Sequence, residues 1–495
     1  MSFTSAVFLI IFFPVCILFS FLMEKNYRNV FLCICSMFFY FWCGLKFLIL
    51  ILVSATFAYL FGILLERTSN LTAKRFVLMT ALLYNIGVLF FYKYFFDLFP
   101  DFLSIWASFT HRDAAMIQSP VLPLGISFYT FSILSYILDV YWEKCRAQRN
   151  ILNVYLYILF FPKVVQGPIM RYSDFEKQLY NGGGGNIEDL NLGFERFIKG
   201  MFKKVMIADQ LQPLVTYSFN NIRYVGTIPA WIGIFAYLFQ LYYDFSGYSD
   251  MAIGLGYMVG FKLPENFNHP YMSKSASEFW RRWHSSLGEW FRDYVYMPCF
   301  RTIMEIGWID KIKKKKMLFC DLMALLFTWI LTGIWHGSGK KFLVWGLWWF
   351  TFIAFERLRD EHRKKVRKAK KLPLKKNTWW QNILDYFVTF IAVLLGQVVF
   401  RAESLIDALV YWKRLLVWNT TDGVTFLHQF DNYMVFALTI GLIFCFPIYD
   451  VLKEKLFFKN IFTKVVYRVL LLGVAFIAFS YAVSAGYSAF LYEVF

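Results

Sequence analysis

Eight stretches of this chain run for about 18 residues or more with few charges: 5–23, 47–65, 76–96, 229–260, 318–336, 383–400, 434–452 and 465–485. A helix of about 20 residues crosses the hydrocarbon core of a bilayer. Within lipid every backbone group must be satisfied internally, which leaves helices as the structure for such runs. The expected fold is therefore all-α: a polytopic membrane protein with about 11–12 transmembrane helices plus one or two re-entrant helices. Composition agrees, since 59% of the 495 residues are hydrophobic and only 17% are charged. A soluble chain of this length would need a more polar surface.

The first apolar run, 6–23, lacks a basic leader region, carries Pro14 and ends at Glu24-Lys25. It reads as a first span rather than a cleaved signal. The net charge of +18 points to orientation, because Lys and Arg concentrate in cytoplasmic loops and face anionic lipid there. No nucleic-acid motif accompanies it. Two basic blocks stand out, KIKKKK at 311–316 and RLRDEHRKKVRKAKKLPLKK at 357–376. Basic clusters after the first span, after 29–65 (a hairpin turning near Gly44) and after 120–142 fall on one side, which places the N-terminus and 97–119 outside. Residues 151–168 are apolar but flanked by basic residues at both ends and broken by Pro162 and Gly167-Pro168. A re-entrant segment on a cavity wall satisfies those constraints. YNGGGGN at 180–186 reads as a linker, because no Gly-Lys-Ser/Thr follows it.

The eight cysteines form neither a CxxC pair nor a zinc spacing, so no disulfide framework and no metal site are expected. The chain also lacks a serine nucleophile elbow, a Walker loop, a Rossmann glycine signature and HExxH.

Three segments carry polar groups where a membrane makes them costly, and such residues are functional candidates. In LYYDFSGYSDMAIGLG (241–256), Asp244, Ser246, Tyr248 and Asp250 interrupt an apolar run. Gly247, Gly254 and Gly256 permit either close helix approach or a break between two shorter helices. SASEFWRRWHSSLGEWFRDYVYMP (275–298) starts with a Ser275/Glu278 capping box. It reads as one amphipathic helix with Trp280, Trp283, His284, Leu287 and Trp290 on one face and Arg282 on the other. The third is LTGIWHGSGKKFLVWG (331–346), where an apolar run ends in Trp335-His336 before a Gly-Ser-Gly turn. A histidine serves as a general base near neutral pH, since its unperturbed pKa is ~6.5. A lone histidine on an apolar face is more often simply packed. Of the others, His111, His362 and His428 fall in expected loops, and His269 in a proline-adjacent turn. The residues alone support an intramembrane site with one or two histidines, without naming a reaction.

Taken together, FFPKVVQGPIMRYSDFEKQL (160–179), YYDFSGYSDMAIGLG (242–256), LPENFNHPYMSKSASEFWRRWHSSLGEWFRDYVYMP (263–298) and LTGIWHGSGKKFLVWG resemble the membrane-bound O-acyltransferase family, most closely its bacterial polysaccharide branch. The resemblance runs over nearly the whole chain and implies one integral membrane domain, 1–495. Its catalytic core would cover about 120–357, followed by C-terminal helices at 383–485, around a central tunnel. It implies that His336 is the signature histidine and His284 the second one. Trp335, Trp283, Asp244, Ser246, Tyr248, Asp250, Arg282 and Arg171 become candidates for the substrate path. No resident cofactor or metal is implied. The donor would be acetyl-CoA or another acyl thioester, including an acyl-carrier donor. The acceptor would be an extracytoplasmic glycan or a secreted or periplasmic partner transferase, and the location a bacterial cytoplasmic membrane. Two alternatives stand beside acetyl transfer: D-alanyl transfer to teichoic acid, and a solute or proton transporter with an intramembrane His/Asp path, although no internal repeat is visible.

Overall fold

A computed structural model describes residues 1–99, 105, 109, 120–181, 186–307, 316–370, 378–421, 425, 426, 428, 430–452, 455, 460–484 and 490. His111, most of 97–119, the glycines of the YNGGGGN linker, the KIKKKK block short of Lys316, and 371–376 lie outside the described residues. The described chain is helical, with one isolated bridge between Phe267 and Trp283 and no strand.

The helices are α1 (Phe8–Leu22), α2 (Lys25–Phe41), α3 (Leu45–Arg67), α4 (Leu71–Leu98), α5 (Ile126–Tyr141), α6 (Ile151–Leu159), α7 (Tyr172–Asn181), α8 (Ile187–Phe202), α9 (Asp209–Asn220) and α10 (Thr227–Met258). After them come α11 (Ala276–Arg282), α12 (Ser285–Phe291), α13 (Met297–Met304), α14 (Lys316–His336), α15 (Lys340–Lys370), α16 (Trp379–Arg401), α17 (Leu405–Leu416), α18 (Asn432–Phe444), α19 (Ile448–Leu452) and α20 (Ile461–Ser484). Among the described residues five helices are long and apolar enough to cross a membrane: α3, α4, α14, α16 and α20. Four shorter apolar helices, Phe8–Leu22, Tyr27–Phe41, Ile126–Tyr141 and Asn432–Phe444, join them. Burial is inverted relative to a soluble protein. Phe476 on α20 is 72% exposed while Asp244 is 2% exposed, as a lipid-facing exterior requires.

The chain divides into two compact units, each built from separate stretches. The first holds 1–201, 247–265 and 475–495. Within it α5 packs against α3 and α4, and α6 against α2 and α3. The turn between α2 and α3 falls at Gly44, whose φ of 119° is open to glycine. Helix α6 has only 9 residues, about 13 Å at 1.5 Å per residue, too short to cross about 30 Å of hydrocarbon. It gives way to a turn at 160–167 in which every residue is buried. Gly125, at φ 70°, lets that turn close in, since a Cβ there would lie 2.2 Å from the Val164 carbonyl oxygen. The second unit holds 202–246 and 266–474. Its centre is the α14–α15 hairpin, where Gly333 and Gly346 bring the helices together. A Cβ on Gly346 would meet the Trp329 carbonyl at 2.4 Å.

One open alternative is decided and two expectations are corrected. The run 241–256 is not a junction of two helices, because α10 continues unbroken from Thr227 to Met258. Its glycines serve close approach instead: Gly254 faces the Gly193 carbonyl of α8, where a Cβ would come within 2.5 Å. The stretch 275–298 is not one amphipathic helix. It breaks between α11 and α12, with Trp283 extended and His284 left-handed at φ 45°. His362 does not lie in a loop: α15 runs from Lys340 to Lys370, so His362 and the first part of the basic block are helical, as straight-chain Lys, Arg and Glu favour.

Candidate active site

His336 is the last residue of α14. The turn after it closes through Gly337 N–H donating to the Ile334 carbonyl (3.0 Å) and Phe342 N–H to the Gly339 carbonyl (3.0 Å). Rings enclose the imidazole: Trp335 at 4.6 Å, Trp345 at 4.8 Å and Phe400 at 5.0 Å between centroids. Lys341, of the same turn, donates to the Ala402 carbonyl at 2.6 Å, tying the start of α15 to the end of α16.

His284 owes its position to a residue that sequence reasoning passed over. Asn266 Oδ1 lies 2.9 Å from His284 Nδ1, 2.9 Å from Ser286 Oγ and 3.3 Å from the Ser286 N–H. A backbone N–H can only donate, so the Asn266 atom facing it is the oxygen, and Nδ1 must then carry the imidazole hydrogen. Nε2 is left as the basic nitrogen. The backbone follows the same plan. Ser285 N–H donates to the Asn266 carbonyl (3.0 Å) and Asn268 N–H to the Arg282 carbonyl (2.9 Å), so the 266–268 strip captures the helix break. Burial pushes the imidazole down to about 3, which keeps it neutral at neutral pH. The sequence signal for Asn266 is faint, since it sits 18 residues before His284 with no fixed-spacing motif between them.

The two histidine elements belong to one aromatic body in the second unit. Trp283 stacks on Phe279 (5.6 Å), Phe279 on Trp349 (5.4 Å), Trp349 meets Trp280 (5.1 Å), Trp280 meets Trp345 (5.6 Å), and Trp345 meets His336 (4.8 Å). At the start of α11, Ser275 Oγ accepts from the Glu278 N–H at 3.0 Å, but the Glu278 carboxylate accepts from Lys274 N–H rather than closing the capping box. Glu356 of α15 takes the next N–H groups, of Ala276 and Ser277.

The other candidates divide. Trp335 lies against His336, and Trp283 precedes His284 and bridges Phe267. Arg282 is held by Glu278 at 2.8 Å. In the second unit Asp244 pairs with Lys204 at 2.7 Å, and Lys204 also reaches Asp209 at 2.8 Å. In the first unit Asp250 pairs with Arg196 at 2.6 Å, and Glu265 grips the same guanidinium. Burial opposes the Arg196 charge, but Asp250 and Glu265 outweigh it and hold its pKa above the ordinary value. Tyr248 stacks on Phe3 at 4.7 Å. Ser246 is buried, and its hydroxyl has no hydrogen-bond partner among the described residues. Arg171 lies 4.0 Å from Asp174. All eight cysteines are free, and no group of His, Cys, Asp or Glu among the described residues forms a metal site.

The fold is that of an all-helical, polytopic membrane protein, with both histidine elements on one aromatic body. A profile of the membrane-bound O-acyltransferase family matches residues 143–395. The chain is 37% identical over 422 residues to the probable alginate O-acetylase AlgI of Pseudomonas aeruginosa, covering 85% of this chain and 76% of that protein. It is 30% identical over 457 residues to the peptidoglycan O-acetyltransferase of Helicobacter pylori, covering 86% and 81%. It is 29% identical over 311 residues to the teichoic acid D-alanyltransferase of Bacillus subtilis, covering 62% and 76%. The chain belongs to the membrane-bound O-acyltransferase family. It is a membrane O-acyltransferase, which decides between the enzyme and transporter readings.

Proposed function

We propose that this enzyme moves acetyl from a cytoplasmic thioester, acetyl-CoA or an acyl-carrier donor, across a bacterial cytoplasmic membrane. The acceptor is a hydroxyl of an extracytoplasmic polysaccharide, or a secreted or periplasmic partner transferase that completes the transfer. The relatives favour acetyl over D-alanyl, because the acetyltransferases match 85–86% of the chain and the D-alanyltransferase 62%.

The observation that carries the reading is the run of ring contacts joining the His284 break to His336. A sugar hydroxyl is a weak nucleophile at neutral pH. His336 accepts its proton as it attacks the thioester carbonyl, and the thiolate leaves with a proton. His284, fixed as the Nδ1–H tautomer by Asn266, orients the reacting groups through Nε2. Apolar rings around His336 exclude water, which limits hydrolysis of the thioester. No resident cofactor is required.

The test is reconstitution of the purified enzyme in liposomes with labelled acetyl-CoA, with and without glycan and candidate partner proteins. His336→Ala is expected to lower transfer by about 10²–10⁴-fold while the protein still inserts and elutes as a folded species. Unchanged transfer in that variant rejects the assignment of His336.

A further inference from the structure

Lys341 lies in the Gly-Ser-Gly-Lys-Lys-Phe stretch after His336, where two lysines interrupt an otherwise apolar hairpin. It is half-buried. Its ammonium donates to two carbonyls at the end of α16, Ala402 at 2.6 Å and Phe400 at 3.4 Å. The last carbonyls of a helix have no partner within it, and they form the negative end of the helix dipole. A lysine beside them supplies both donors and the matching charge.

One of the residues so held is Phe400. It is 2% exposed, and its ring lies 5.0 Å from the His336 imidazole, 5.3 Å from Trp345 and 5.6 Å from Phe342. Phe342 follows Lys341 directly and covers Gly337, where a Cβ would come within 2.3 Å of the ring. The same lysine therefore joins the turn after His336 to the ring beside it. Farther back, α16 has its own attachments. Trp348 Nε1–H donates to the Ala392 carbonyl at 3.0 Å, and Trp412 Nε1–H to the Leu395 carbonyl at 3.3 Å. Loss of the Lys341 bonds thus frees the last turn of α16 and leaves the rest of that helix packed. All of these residues belong to the second unit.

We infer that Lys341 is a positioning residue that latches Phe400 against His336 and so closes the imidazole to water. This rests on the thioester reading above and adds to it the device that favours a sugar hydroxyl over water as acceptor. With the last turn of α16 loose, water takes the sugar's course. Its oxygen bonds to the acetyl carbon and His336 accepts its proton, while the C–S bond breaks and the thiolate takes up that proton. The products are acetic acid and the free thiol.

Two measurements on the full-length protein test this. The first is amide hydrogen exchange in detergent, which depends on no acyl reaction. Lys341→Met keeps the length of the side chain and removes its donors. Amides 400–402 are expected to exchange at least about tenfold faster than in wild type, with the middle of α16 unchanged. Equal exchange at 400–402 overturns the latch. Faster exchange along the whole of α16 is a general packing defect and also overturns it. The second measurement supplies the enzyme in liposomes with labelled acetyl-CoA or acetyl-loaded carrier protein and extracted envelope polysaccharide, and counts ester-bound and free acetate. Lys341→Met is expected to raise the ratio of free to ester-bound acetate by at least about tenfold. Lys341→Arg, whose guanidinium also donates to two carbonyls, is expected to bring the ratio back to within about threefold of wild type. Equal loss of both products in Lys341→Met, with the ratio intact, assigns the lysine a merely structural role and overturns the proposal. A wild type that makes neither product from either donor rejects the thioester reading itself, while the exchange result still decides the latch.

Discussion

Asn266 shows how one side chain converts a greasy helix into a site. Its oxygen collects His284 Nδ1–H, Ser286 N–H and Ser286 Oγ–H, so one acceptor fixes a tautomer and starts a helix. Replacing it by leucine strands buried donors at about 1–3 kcal/mol apiece. Asn266→Leu is expected to lower both thermal stability in detergent and kcat, while Asn266→Asp keeps the acceptor and most of the stability. Equal behaviour of the two variants counts against the assignment. His284 also makes a pH prediction. Its native pKa is pushed down to about 3, below the ordinary ~6.5. The unfolded chain therefore takes up a proton below about pH 6.5 that the native state refuses, and stability falls as pH drops from there. The unfolding midpoint is expected to fall between pH 7 and pH 5, and to fall less in His284→Gln. Identical falls would reject this account.

At the scale of elements, apolar runs were the legible signal and helix interruptions were not. Runs such as 318–336 and 383–400 return as α14 and α16 within a few residues. By contrast, α10 runs straight through Asp244 and Asp250, because Lys204 and Arg196 neutralise the carboxylates where they stand. The opposite holds at 283–284, where ordinary helix formers break because the 266–268 strip supplies competing backbone partners. Both outcomes depend on residues far along the chain, which local pattern cannot weigh. Close-approach glycines belong to this scale as well. Gly346→Val would drive a side chain into the Trp329 carbonyl and part the α14–α15 hairpin beside His336. A loss of about 2 kcal/mol or more is expected, read as a lower unfolding midpoint with reduced transfer. A variant as stable as wild type would show that the hairpin tolerates separation.

For the whole molecule, the apolar exterior and the basic loops make a prediction about orientation. Cysteine placed at Ser338, in a background lacking the eight native cysteines, is expected to react with a membrane-impermeant maleimide from outside the cell. One placed at Val366 is expected to react only in inverted vesicles. The reverse pattern would overturn the topology drawn from the lysine and arginine blocks. Sequence by itself determined that the chain lives in a membrane, that it is all helix, and that His336 and His284 are the histidines to examine. Hydrophobicity and the demands of a buried backbone act locally and leave their mark residue by residue. Only the tertiary structure decided which polar groups are spoken for: Asp244 by buried Lys204, Asp250 by partly exposed Arg196, and His284 by Asn266. In a low-dielectric interior a polar group's role depends on whether it has a partner. Partners such as Asn266 for His284 or Lys204 for Asp244 are 18 to 40 residues distant, beyond the reach of any local pattern.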